Sequence, residues 1–290
     1  MAEDTVTNKE TRTSKFLKNS FSTFIYQAVL LVVGFITPRL MLTYYGSEIN
    51  GLVTSLAQFV SYLTLVEAGI SASTIYSLYK PLADKDEEGI SSIVVASKNF
   101  YYKSGFLFLA LIIVLAFIYP LFVEMPNGLN YLDVVLLAFI SGFSGIVDFF
   151  TLAKYRSILT ADQKTYIISI STTCYTISNL LIFVCLALFK TNIVIVKAVC
   201  LLSVVLRSII LIIYCKKKYP YINYNAKPDN SALDKRWDAL FQQVLGMVQN
   251  GAPIIILTFV CRDLSVVSIF TIFNMVLQGV NSLLSIFISG

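Results

Sequence analysis

The chain has 290 residues, 57% hydrophobic and 13% charged, with a formal net charge of +5 and a mean hydropathy of +0.75. Soluble domains carry about 25% charged residues, and no soluble interior of this size can hide so much apolar surface, so a soluble globule is excluded. The sequence holds no histidine, which removes the commonest general base and the commonest zinc ligand; no enzymatic activity, metal or cofactor is expected.

The apolar residues fall in blocks of about 20 or more, the length a helix needs to cross about 30 Å of hydrocarbon. They do not alternate polar with apolar as barrel strands do, so the expected fold is all-α, a polytopic bundle of transmembrane helices. Lys and Arg lie in short segments between the blocks, a mark of membrane topology; no nucleic-acid partner is expected. The five cysteines, Cys174, Cys185, Cys200, Cys215 and Cys261, sit in or beside apolar blocks without a CxxC pair and read as small, lipid-compatible residues.

In chain order, residues 1–18 are mixed in charge and too long for a signal n-region, and are expected to form a cytosolic tail. Eight spans follow: Phe21 to Tyr45, Gly51 to Tyr79, Phe100 to Val123, Tyr131 to Ala153, Tyr166 to Phe189, Ile193 to Cys215, Val244 to Val260, and Leu264 to Ser289. The polar run from Pro81 to Gly89 is expected to be a solvated connector. After Lys216-Lys-Lys and Pro220, Ser231 is placed to cap an amphipathic helix whose apolar stripe is Leu233, Trp237, Leu240 and Val244. Of the 22 Lys and Arg, only Arg39, Lys190, Lys197, Arg207 and Arg262 fall outside the N-terminal tail and the alternate loops on its side. The positive-inside rule therefore places the N-terminus in the cytoplasm.

A weak internal repeat divides the chain. Pro38 precedes Gln58 by 20 residues and Pro253 precedes Asn274 by 21, as if two helix pairs opened two equivalent lobes. The expected organisation is a tail (1–18), a six-helix lobe (19–215), a cytosolic linker with an amphipathic helix (216–243) and the first two helices of a second lobe (244–290).

Polar side chains concentrate in those two pairs. Gln27 on the first span, Gln58 on the second, Gln249 and Asn250 on the seventh, and Asn274 and Gln278 on the eighth belong to stripes at steps of three or four. Such stripes either hold helices together or line a shared aqueous cavity, and four of them in two pairs favour the cavity. Ionisable residues inside spans are rarer still. Glu67 and Asp148 are the candidates for coupling or charge balance, with Arg207 as a natural partner for Glu67. Arg39, Arg207 and Arg262 are the candidate anion-binding cations.

Four stretches resemble the polysaccharide-biosynthesis branch of the multidrug/oligosaccharidyl-lipid/polysaccharide exporter superfamily, the O-antigen flippase-like proteins. They are Tyr45-Gly-Ser-Glu-Ile-Asn-Gly-Leu, Leu65-Val-Glu-Ala-Gly-Ile with Leu78-Tyr-Lys-Pro-Leu-Ala, Tyr155-Arg-Ser-Ile-Leu-Thr-Ala-Asp-Gln-Lys, and Val267-Ser-Ile-Phe-Thr-Ile-Phe-Asn-Met-Val. The resemblance implies a MATE-like bundle of twelve or more helices in two lobes around a central cavity, of which this chain would hold about eight. It also implies a multi-pass protein of the bacterial cytoplasmic membrane whose substrate is a lipid-linked oligosaccharide, a repeat unit on undecaprenyl diphosphate moved between leaflets. Membrane lipids, a polysaccharide polymerase and glycosyltransferases are the implied partners. On this reading the chain is a truncated form of its parent. The alternatives are a drug or cation exporter of the same fold, an inactive transporter fragment, and a membrane glycosyltransferase or polymerase, for which no sizeable outer loop offers a carboxylate pair.

Overall fold

The computed structural model describes residues 12–67, 69–233, 236–261 and 263–288, and every regular element among them is helical. The helix α1 (Arg12–Leu63) contains Pro38 and a break at Gly46, whose φ of 83° and ψ of 173° suit a residue without Cβ. The chain reverses there. Its first arm, residues 12–45, runs beside a later helix from Lys15, which donates to Asp162 at 2.8 Å, to Tyr45, whose hydroxyl donates to the Thr191 carbonyl at 3.0 Å. The second arm returns from Glu48, which accepts from the Asn127 N–H at 3.1 Å, toward Glu67, which faces Arg156.

A 3-10 turn, Thr64–Glu67, and Gly69 at φ 81° separate the second arm from α2 (Ile70–Asp84). The expected solvated connector shrinks to Lys85 and Asp86, because Asp86 caps α3 (Glu87–Ile118) by accepting the Gly89 N–H at 2.9 Å. The helix α4 (Tyr131–Val147), a π-helical turn (Asp148–Leu152) and α5 (Ala153–Ala161) follow without interruption. Next come α6 (Thr165–Leu188), which lies beside the first arm of α1, and α7 (Ile193–Lys218). A 3-10 turn, Asn230–Leu233, leads toward α8 (Arg236–Cys261) and α9 (Leu264–Ile288). Ser231, the expected cap, donates its N–H and hydroxyl to Asp229, at 3.1 and 2.6 Å, and residues 234 and 235 between it and α8 lie outside the described residues. The side chains of Trp237 and Leu240 in the expected amphipathic stripe lie outside the described residues.

Five helical stretches among the described residues are long and apolar enough to cross a membrane: Thr13–Glu67 across its reversal, Glu87–Leu121, Tyr131–Ala161, Thr165–Leu188 and Ile193–Lys218. Shorter apolar stretches, Gly251–Val260 and Leu264–Leu277, lie in α8 and α9. The helices overrun the expected spans at one end. Residues 12–18 are helical, α3 starts well before Phe100, and α5 continues past Ala153. Hydropathy registers only the apolar part of a helix, whereas the extensions of α3 and α5 are held by packing: Ile90 and Ile158 share a buried cluster with Leu78, Leu211 and Ile222. The extension 12–18, where Phe16 and Leu17 are exposed, is tied down by Lys15 on Asp162.

Two more clusters complete the interior, one around Phe108, Ile112 and Phe149 at mid-length and one around Leu52, Leu56, Val134 and Phe183 toward the Gly46 end. The mid-length cluster depends on close helix approach. Ile112 and Phe108 of α3 occupy the space that side chains at Gly142 and Gly145 of α4 would need. Outward-facing positions carry exposed large apolar side chains such as Phe106, Leu181, Leu202 and Ile213, the surface a helix presents to lipid tails. The helices α8 and α9 dock on the second arm of α1 through polar stitches: Asn50 donates to Ser268 at 2.7 Å, and the Ser55 and Thr258 hydroxyls meet at 2.9 Å.

Candidate functional site

The π-helical turn at Asp148 decides the geometry of the site. Asp148 and Arg156 are eight residues apart, and two turns of an ordinary helix span only about 7.2. A π turn takes one extra residue, so it brings the two side chains onto the same face. Arg156 thereby reaches Asp148 at 3.6 Å. Its other nitrogen faces Glu67 at 3.9 Å, and Asp148 in turn accepts from Arg207 of α7 at 2.5 Å. The guanidinium of Arg207 lies over the Tyr175 ring, 5.1 Å from its centroid.

Glu67, Arg156, Asp148 and Arg207 thus form one alternating chain of charge across three separate parts of the fold. Two carboxylates face two guanidinium groups, so the set is neutral when all four are ionised. Its members are 14 to 35% exposed. The buried Nε of Arg207 has no hydrogen-bond partner among the described residues, which leaves that donor of the guanidinium unused by them.

Glu67 reaches the chain because the helix breaks beside it. The 3-10 turn and the left-handed Gly69 free backbone groups that an unbroken helix would use internally, and the Ser104 hydroxyl donates to the Val66 carbonyl at 3.4 Å. Breaks of this kind inside apolar bundles are tolerated where protein or water satisfies the backbone. The buried Tyr101 sits beside Glu67, its hydroxyl 3.4 Å from that of Ser157.

Of the residues singled out from sequence, Glu67, Asp148 and Arg207 are brought together. The pairing differs from the expected one, since Glu67 faces Arg156 and Arg207 belongs to Asp148. The charge pattern of the sequence groups Arg156 with the expected cytosolic basic residues. The signal that could have moved it is its spacing from Asp148, but that spacing fits only if a π turn intervenes. Tyr175 carries no sequence signal that separates it from other span tyrosines.

Arg39 lies elsewhere. In the register set by Thr23 on Ser169 and Tyr45 on Thr191, the level of Tyr175 corresponds to residue 29, so Arg39 sits roughly 15 Å further along the arm. It is exposed and lines a cleft of about 320 Å³ between the first arm and α9, with Phe35, Pro38, Ile272 and Met275. Gln27 is exposed, Asn274 is half-buried, and Gln58 donates to Ser61 at 3.2 Å. The side chains of Gln249, Asn250 and Gln278, and the whole of Arg262, lie outside the described residues. A second cleft, of about 410 Å³, opens near the Gly46 end, lined by Tyr44, Tyr45, Lys190, Thr191 and Asn192.

A separate ionic knot ties the start of α1 to the turn between α5 and α6. Asp162 accepts from Lys15 at 2.8 Å, from Lys164, and from the Tyr219 hydroxyl at 2.7 Å. Burial pushes its carboxyl up, but the three hydrogen bonds together outweigh burial and hold it below the ordinary carboxylate range. Asn19 completes the knot, donating to the Gln163 carbonyl and accepting from the Tyr166 N–H. No group of three or more Cys, Asp and Glu suited to a metal ion occurs among the described residues.

Compared with protein-family models, curated proteins and solved structures, the chain matches none. The class that can be stated is therefore structural. The chain's described residues are all-helical, with several helices apolar and long enough to cross a membrane and a chain of ionisable residues running between them.

Proposed function

We propose that this chain serves the flipping of undecaprenyl-diphosphate-linked oligosaccharides across a bacterial cytoplasmic membrane for surface polysaccharide synthesis. The observation that carries the reading is the Glu67–Arg156–Asp148–Arg207 chain inside an apolar bundle. Ionised groups among apolar helices are costly, and they mark substrate or ion pathways. A diphosphate entering such a bundle needs cations that are compensated while the site is empty and released when the anion arrives. Arg207 meets that need. Asp148 balances it, Tyr175 supports its flat face, and its Nε–H is still free to donate. Arginine suits phosphate because its planar fork donates two parallel hydrogen bonds and stays charged.

The four sequence stretches that resemble flippase-like proteins support the same substrate, as does the helix break at Glu67, since transporters build sites on interrupted helices. Glu67 can balance Arg156 in the empty state or carry a proton on the return step. A drug or cation exporter needs carboxylates open to a cation, and here guanidinium groups face both Glu67 and Asp148.

In cells expressing the protein from its own reading frame, Arg39→Ala and Arg207→Ala are each expected to abolish surface polysaccharide while leaving membrane abundance unchanged. The corresponding lysine variants should retain partial function. Normal export by a stably expressed Arg39→Ala/Arg207→Ala double variant overturns the diphosphate reading.

A further inference from the structure

The end of the bundle that holds Asp162 also carries three lysines with no carboxylate. At that end Lys15 and Lys164 pair with Asp162. Lys98 of α3, Lys154 at the start of α5 and Lys216 near the end of α7 form no salt bridge with another described residue. Lys98 and Lys154 face tyrosine rings instead. The Lys98 Nζ lies 5.6 Å from the ring centroids of both Tyr102 and Tyr224. The Lys154 Nζ lies 5.1 Å from that of Tyr224 and 5.0 Å from that of Tyr155. Because both nitrogens approach one ring, they are at most about 11 Å apart, near a Debye length at physiological ionic strength. Lys216 is close enough to Lys154 for their charges to repel.

This assembly is held in place. Asn223 donates its N–H to the Ser91 hydroxyl at 3.1 Å, Asp229 donates its N–H to the Ser92 carbonyl at 3.3 Å, and Ile222 is buried, so the segment carrying Tyr224 is fastened along α3. The Tyr224 hydroxyl donates to that of Tyr155 at 3.5 Å. Like charges fixed around aromatic rings repel one another unless an anion completes them.

We infer that Lys98, Lys154 and Lys216, framed by Tyr102, Tyr155 and Tyr224, bind the phosphate of an anionic membrane lipid. A lipid fits better than a free anion for two reasons. Lys154 follows directly on the apolar stretch of α4, and paired lysines and tyrosines are the side chains that settle at headgroup level. Further along α3, Phe106 and Leu107 are exposed and offer an apolar track for the acyl chains. The site is distinct from the Arg207 chain and requires no transport.

Thermal unfolding of the full chain in neutral detergent tests it, with phosphatidylglycerol, phosphatidylcholine or inorganic phosphate added. The unfolding temperature is expected to rise with phosphatidylglycerol alone. Lys98→Gln/Lys154→Gln should bind that lipid roughly thirtyfold more weakly, the loss expected for two lysines near an anionic surface. Because repulsion is relieved, the double variant should be no less stable than the parent in neutral detergent. An undiminished response of the double variant to phosphatidylglycerol overturns the proposal, and an equal response of the parent to inorganic phosphate replaces the lipid with a free anion. If the glutamine pair fails to fold, native mass spectrometry of retained lipid on Lys98→Gln alone and on Lys98→Arg/Lys154→Arg decides. Lipid loss in the first and retention in the second support the site; equal retention in both removes it.

Discussion

Asp148 serves two arginines at once, accepting from Arg207 at 2.5 Å and facing Arg156 at 3.6 Å. Replacing it with asparagine leaves Arg207 with a neutral partner in a site only 14% exposed, while Arg156 keeps Glu67. The expected loss for Asp148→Asn is therefore smaller than the roughly 3–5 kcal/mol of breaking a fully buried pair, and it falls on Arg207. Adding Arg207→Gln removes the stranded charge, so the double variant should recover part of the loss. Unfolding of the two singles and the double in detergent measures this, and strict additivity would show that the two side chains are not coupled. That Glu67, Asp148 and Arg207 deserve notice was legible from their charge inside apolar blocks. Their partners were not, because Arg156 enters the site only through the extra residue of the π turn, and residue type carries no mark of that turn.

At the scale of elements, two neighbouring glycines fail for different reasons. Gly46 has open space where a Cβ would stand, but its φ of 83° is costly for other residues. Gly46→Ala should cost about 1–3 kcal/mol through backbone strain alone. Gly51 has an ordinary helical backbone, yet a Cβ there would lie 1.8 Å from the Leu264 carbonyl oxygen, where the turn between α8 and α9 meets the second arm. Backbone cannot swing aside as a side chain can, so Gly51→Ala should displace α9 and disturb the Asn50–Ser268 bond. Hydrogen exchange resolved by segment distinguishes the two outcomes: Gly51→Ala is expected to raise exchange in residues 264–277 and Gly46→Ala to leave it unchanged. The Gly46 turn was legible in Gly46-Ser-Glu between two apolar blocks. The demand for glycine at Gly51 was not, since the atom it avoids comes from more than two hundred residues away.

For the molecule as a whole, the expected orientation rests on the distribution of charge. The expected arrangement places the Asp162 end and the Lys216 to Asn230 segment in the cytoplasm. Asn225 is exposed and hydrogen-bonds only locally, so a cysteine there should be harmless. On a background lacking the five native cysteines, Asn225→Cys should resist a membrane-impermeant thiol reagent in intact cells and react once the membrane is opened. Labelling in intact cells reverses the orientation.

Composition and periodicity alone determine that the chain is helical, with stretches long and apolar enough to cross a membrane, because blocks of some 20 apolar residues that do not alternate suit a helix and not a barrel strand. The same reasoning placed the apolar stretches of α3, α4, α6 and α7, but it ran the second span, Gly51 to Tyr79, straight through the break between Thr64 and Gly69. The tertiary structure alone decided how far α3 and α5 run beyond their apolar stretches, since Ile90 and Ile158 are buried there against Leu78 and Ile222. It also decided which charges meet. Salt bridges depend on the rotation of each helix about its axis and on where a turn widens or breaks, at Asp148 and at Gly69, and those are settled by packing among helices distant in sequence.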